Sequence, residues 1–178
     1  MNSLVTRHVI NFVHSHDSGQ VIVDPDDFRK KILYSHAVDT ILRSGENIVF
    51  LQNVYQASGV EKEEGRLGVP TWLNFVRSIS DIGTKADSNN SFEFSFHEMF
   101  AKECFMQSRL VVVDEEAPTA ALRVRSLNFE DFLEAIVRLA CGVKVNGKVV
   151  AKDADSVAQG LDILIQIIRE QWTKRGKK

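Results

Sequence analysis

The sequence predicts an all-α fold, and three observations carry that expectation. Residues 128–140, NFEDFLEAIVRLA, place Phe129, Phe132, Leu133, Ile136, Val137 and Ala140 at i, i+3, i+4, i+7, i+8 and i+11, the spacing of one helix face. The stretch DPDD at residues 24–27 is a helix start: Asp24 caps, Pro25 suits the first helical position, and Asp26 and Asp27 favour the positive helix end. Elsewhere the apolar residues recur at helical spacing in five further segments, with only short strand-like runs between them.

In chain order, the first helix is expected over residues 3–15, with Val5, Val9, Phe12 and Val13 as its stripe. After a linker and the run Val21–Val23, a second helix runs from Pro25 through Phe28, Ile32, Leu33 and Ile41 until Gly45 ends or kinks it. A third, 46–57, carries Ile48, Leu51, Gln52 and Tyr55 on one side, with Phe50 and Val54 off that stripe. A fourth follows Pro70 with Trp72, Phe75, Val76, Ile79 and Ile82 in register. GTKADSNNS reads as loop by composition. The fifth helix opens near Ser95, its expected cap with Glu98 completing a capping box, and shows Phe96, Met99, Phe100 and Cys104 on one face. Pro118 makes VVVDEEAPTAALRV a connector. After the 128–140 helix, Asn146-Gly147 between apolar alternations signals a hairpin or turn. A last helix, 154–173, carries Val157, Leu161, Leu164, Ile165, Ile168 and Trp172, and a basic tail follows.

The chain has 178 residues, 44% apolar and 26% charged, which suits one domain or two small lobes. A formal net charge of −2 gives no general signature of nucleic-acid binding, and TKRGKK, the one basic cluster, reads as a solvated end. No run approaches the roughly 18–20 apolar residues of a membrane span. MNSLVTRHVINFVHSH lacks a signal-peptide design, and Cys104 and Cys141 form no disulfide framework, so a cytoplasmic, reducing setting is expected. The chain also reads as a domain that a longer protein could contain.

A pattern of helix, polar loop, short apolar run and aromatic-rich helix recurs around Gly68, Phe94 and Leu127. LNFEDFLEAIVRLA resembles the final exiting-helix segment of calmodulin-like EF-hand proteins. The stretch from Gly45 to Ala140, with its tryptophan helix and its FAKECF segment, is similar to the degenerate EF-hand-like helical modules of protist cytoskeletal and flagellar proteins. The resemblance implies degenerate EF-hand-like helix pairs with extra N-terminal and C-terminal helices. It divides the chain into an N-terminal helical region (1–44), the pair (45–142), and a turn, C-terminal helix and basic tail (143–178).

A calcium-binding loop needs oxygen ligands at places one, three, five, seven, nine and twelve, glycine at six and an apolar residue at eight. With place eight on Leu127, Ala120, Leu122 and Val124 stand at one, three and five. With place eight on Val69, Lys62, Arg66 and Leu73 stand at one, five and twelve. Neither binds calcium in this way. DSNNSFEFSFHE alone keeps the spacing: Asp87, Asn89, Ser91, Glu93 and Ser95, then Glu98 at twelve, with Phe94 at eight. Its Phe92 stands in the glycine place, at a cost on the order of 1 kcal/mol. No cofactor is expected, with weak calcium binding through Asp87, Asn89, Ser91, Glu93 and Glu98 as the alternative.

Nothing in the sequence builds a catalytic set. His14 and His16, two apart, do not share a helix face. His97 lies two turns from Cys104, roughly 10 Å by helix rise, too far for direct proton transfer. Glu130, Asp131 and Glu134 read as solvent-side charges, and GTKADSNN is not preceded by the strand a phosphate loop needs. The expected function is therefore non-catalytic: by resemblance, a scaffold of the cytoskeleton or flagellum, taking a partner's amphipathic helix or another cytoskeletal component in an apolar groove. Trp72, Phe75, Phe96, Phe100, Phe129 and Phe132 would wall that groove. Two other readings stand beside it: a weak calcium sensor using the Asp87–Glu98 loop, or Val157–Trp172 of the chain itself filling the groove.

Overall fold

Asp24 accepts hydrogen bonds through Oδ1 from the backbone N–H groups of Asp26 (2.8 Å) and Asp27 (3.3 Å) and so starts α1 (Pro25–Phe28). A computed structural model of the protein describes residues 24–58, 65–80, 84–87, 90–95, 97–109, 125–149 and 153–175, with the backbone alone at 84–87, 90, 91 and 175. The expected helix over 3–15, the run at 21–23, Ile82, Phe96 and the whole Pro118 connector lie outside the described residues.

Mostly helical, the described residues form seven α-helices and short strands, as an all-α fold requires. The expected helix from Pro25 to Gly45 is broken. α1 continues into a π-helical turn over Arg29–Leu33, and the chain restarts at α2 (His36–Leu42). Ser35 is extended and its hydroxyl caps the N–H of Val38 at 3.3 Å. The break lets Phe28, Ile32 and Leu33 on one side of it, and Val38 and Leu42 on the other, all reach the core. Ser44 caps α3 (Gly45–Ala57) in the same way, so Gly45 opens a helix rather than ending one. On α3, Leu51, Val54 and Tyr55 are buried while Gln52 is exposed, so the buried face includes a residue outside the expected stripe.

β1 (Leu67–Gly68) leads directly into α4 (Val69–Ser80), which buries Trp72, Phe75, Val76 and Ile79. The segment expected to be loop instead forms β2 (Thr84–Asp87) and β3 (Asn90–Glu93), antiparallel with Asp87 opposite Asn90. Next comes α5 (Glu98–Ser108). Its N-cap is His97, which makes no side-chain cap bond, so the expected Ser95 cap is not used. Its buried face is Ala101, Cys104, Phe105 and Ser108, one position round from the expected face, and Met99 is exposed.

β4 (Ser126–Leu127) runs into α6 (Phe129–Ala140), opened by a capping box between Asn128 and Asp131. The remaining strands, β5 (Lys144–Val145) and β6 (Lys148–Val149), flank a turn with positive φ at Asn146 (52°) and Gly147 (75°), the backbone that Asn-Gly turns adopt readily. They extend the β2–β3 hairpin into a four-stranded sheet, with Phe92 opposite Val145. Asp153 and Ser156 exchange side-chain-to-backbone hydrogen bonds (2.9 and 3.0 Å) to start α7 (Ala154–Arg175).

Two units of the same order result. In each, beyond residues outside the described set, a helix is followed by a two-residue strand that leads into a second helix: α3–β1–α4 and α5–β4–α6. The strands pair antiparallel, Leu67 opposite Leu127 and Gly68 opposite Ser126, and both leucines are fully buried. α6 is the central helix, packed by α3, α5 and α7. α7 lies against α2, α4 and α6, and buried residues from all parts of the described chain join one core.

Candidate functional site

Trp72, Phe75, Phe129 and Phe132, four of the residues expected to wall a groove, form an aromatic cluster with Tyr55. Phe132 of α6 sits at its centre, with ring centroids 5.8 Å from Phe75, 6.1 Å from Trp72 (edge-on), 6.5 Å from Phe129 and 5.3 Å from Tyr55. The Phe129 pair is stacked and the others are tilted or edge-to-face, arrangements that suit the ring quadrupoles. Trp72 and Phe132 are fully buried, Phe75 nearly so, and the Trp72 indole N–H donates to the Ala101 carbonyl at 2.8 Å. Phe129 is half-buried at the cluster's rim. Phe100 lies apart, over the end of α6: a Cβ added to Gly142 would stand 2.7 Å from its ring. Of the six expected wall residues, four come together, Phe100 does not, and Phe96 lies outside the described residues.

α7 covers α4 and α6. Between Val157 and Ile168 only Gln159, Asp162 and Gln166 are exposed; the rest of that span is buried, including Leu161, Leu164, Ile165 and Ile168. Toward its end, Arg169 donates to Asn47 Oδ1 at 2.8 Å and stacks over Phe50 of α3, 4.4 Å from the ring centroid. The segment Val157–Trp172, read in the sequence as able to fill the groove, packs against α2, α4 and α6.

Two polar clusters hold the helices in register. Where β1 and β4 meet, the Tyr55 hydroxyl shares its proton between the carbonyls of Gly65 (2.8 Å), just before β1, and Leu127 (2.9 Å) of β4. Arg66 donates to Ser126 Oγ (2.8 Å), the Ser126 carbonyl (3.1 Å) and Asp131 Oδ2 (3.3 Å). Burial raises the Asp131 carboxyl above its ordinary range, against the opposing pull of the Asn128 N–H and of Arg66. Deeper in, Glu134 lies between two guanidinium groups: Arg29 Nε at 2.9 Å and Arg138 NH2 at 2.8 Å. Arg138 also donates to Gln107 Oε1 (2.8 Å) and stacks over Phe28 at 4.0 Å, and Arg29 reaches the carbonyls of Gln107 and Arg109. The expectation of solvent-side charges is therefore corrected for Asp131 and Glu134, both buried; Glu130 is exposed. The other face of α6 is covered by α1 and α5, so its charges need internal partners.

The strand pairing offers a second way to count the first loop, with place eight on Leu67. The residue opposite Leu127 is Leu67, not Val69. Counted from Leu67, place six is Gly65, whose φ of +62° is the left-handed backbone that glycine takes freely, and place seven is Arg66. Places one, three and five become Val60, Lys62 and Glu64. Counted from Leu127, place twelve is Asp131. Tyr55, Arg66, Asp131, Glu134, Arg29 and Arg138 went unread as a site in the sequence; Gly65 was the signal that could have set the frame.

In the Asp87–Glu98 segment, Asp87 and Ser91 lie in the two strands of a ladder, and Asn89 is outside the described residues. Glu93 lies 3.7 Å from Lys144, and the exposed Glu98 pairs with Lys102 at 2.6 Å, whose hydrogen bond lowers its carboxyl's pKa. Phe94 is buried. Among the described residues no group of three or more His, Cys, Asp or Glu is placed to hold a metal ion. Burial pushes the Cys141 thiol up to about 12 and the Cys104 thiol well above its ordinary range, so neither supplies a thiolate. Among the described residues no helix is long and apolar enough to cross a membrane. Comparison with protein-family models, with curated proteins and with solved structures returns no match.

Proposed function

We propose that the chain is a non-catalytic scaffold module built on a degenerate EF-hand-like pair whose apolar groove is filled by its own C-terminal helix. The observation that carries this reading is the seat of α7 on α4 and α6, with Trp72, Phe75 and Phe132 already buried. The pairing of Leu67 with Leu127, each strand leading straight into a helix, supports the EF-hand-like part. No cofactor enters this reading, and a cytoskeletal setting rests on the resemblance alone.

A self-filled groove changes where a partner binds. Displacing α7 would expose a row of leucine and isoleucine side chains, each worth about 1.5–3 kcal/mol of burial. Partner contact then falls to the outer surface. There Met99 and Met106, two turns apart on α5, are both exposed.

The test is a binding titration of the full chain with a fluorescent peptide of residues 154–175. The wild-type chain is expected not to bind it, whereas Leu161→Ala, which weakens the resident helix, is expected to take it up. Binding by the wild type at comparable affinity would show an open groove and sink the reading. Co-sedimentation with cytoskeletal polymers, lost in Met99→Glu/Met106→Glu, checks the scaffold role.

A further inference from the structure

Asp131 stands at place twelve of the second loop, the position whose carboxylate in a calcium-binding loop closes on the ion with both oxygens. That carboxylate is buried, at 3% side-chain exposure, so a cation beside it matters. Its Oδ2 accepts from the Asn128 N–H at 3.1 Å and from Arg66 NH2 at 3.3 Å. Arg66 belongs to the opposite loop, at place seven, directly after Gly65.

We propose that Arg66 replaces the metal: a guanidinium borne by one loop supplies the positive charge at place twelve of the other and holds the pair in one state without a divalent ion. This rests on reading the two units as an EF-hand-like pair. The second loop has Ala120, Leu122 and Val124 where further metal ligands belong, so it offers calcium no competing cage. Arg66 does more than neutralise charge. Its planar fork binds Ser126 through Oγ and carbonyl while reaching Asp131, so it spans β4 and the first turn of α6 together. Tyr55, bonded to both loop carbonyls, closes the same junction from α3. A calcium ion orders the one loop that ligates it, and only while it is bound. Arg66 joins the two loops for as long as the chain is folded, and the module has no calcium-free state to switch to.

Arg66 is on this account a positioning residue, and a thermal-unfolding cycle of the full chain tests it: wild type, Arg66→Met, Asp131→Asn and the double variant, each with and without millimolar calcium. The wild-type melting temperature is expected not to move with calcium. Arg66→Met, which leaves a buried carboxylate without its cation, should lower it by about 8 °C or more. Adding Asp131→Asn should return part of that loss, and Arg66→Lys should retain less than half of the wild-type margin. Amide exchange at Leu67–Gly68 and Ser126–Leu127 should quicken in Arg66→Met while α7 stays protected. If Arg66→Met does not fold, the cycle runs on Arg66→Lys instead. Strictly additive effects, or a wild-type melting temperature that rises with calcium, overturn the proposal. Uptake of the 154–175 peptide by the wild type, with coupling intact, would remove the filled groove and leave the built-in cation standing.

Discussion

α6 and α7 are the two helices most enclosed by the rest of the protein, and they hold their places by different means. α6 buries three charged side chains, Asp131, Glu134 and Arg138, each with a partner of opposite charge. α7 keeps Asp155, Gln159, Asp162 and Gln166 exposed and turns aliphatic side chains toward α2, α4 and α6. Apolar contact is strong and tolerant of sliding, because one leucine surface is much like another. A buried ion pair adds little net stability, yet it is satisfied in one geometry only. The contrast suggests a division of labour: α6 sets the register of the module, and α7 supplies much of the mass that keeps it closed.

Breaking the charge side of this contrast should have the largest effect. Glu134→Ala leaves Arg29 and Arg138 facing each other without their shared anion, and a loss of about 3–5 kcal/mol is expected in denaturant unfolding. A loss under 1 kcal/mol would mean that the cluster is hydrated and α6 is held by its apolar face alone. On α7, Leu164→Ala is expected to cost about 2–5 kcal/mol by cavity formation, without any change in the Arg29–Glu134–Arg138 cluster. The smallest effect belongs to α7's open stripe: Gln159→Ala should stay within about 0.5 kcal/mol of wild type. A large loss there would mean that the stripe faces a surface rather than solvent.

The same two helices show what periodicity reveals and what it leaves out. All six apolar positions read on 128–140 face protein, because one helix period is a local property. The period cannot tell whether the opposite face meets water. Glu134's partner Arg29 is 105 residues away, and α1 covers that face only after the whole chain has folded. The hairpin β2–β3 was illegible for a related reason: its residues are polar and loop-like, and β3 pairs with Lys144–Val145, more than fifty residues on. The break at Ser35 left a faint trace, since serine caps helices well, but a continuous apolar stripe around it hid the signal. At the junction of β1 and β4, the pairing of Leu67 with Leu127, sixty residues on, brings Arg66 to Ser126 and Asp131, and no local pattern announces it.

Amide hydrogen exchange across α7, followed with and without millimolar calcium, tests the central claim most directly. A module closed by its own helix and held without metal predicts that Leu161–Ile168 exchange among the slowest amides of the chain, at rates calcium does not change. Rapid exchange of that span while α6 remains protected, or a calcium-dependent shift in its protection, would contradict it.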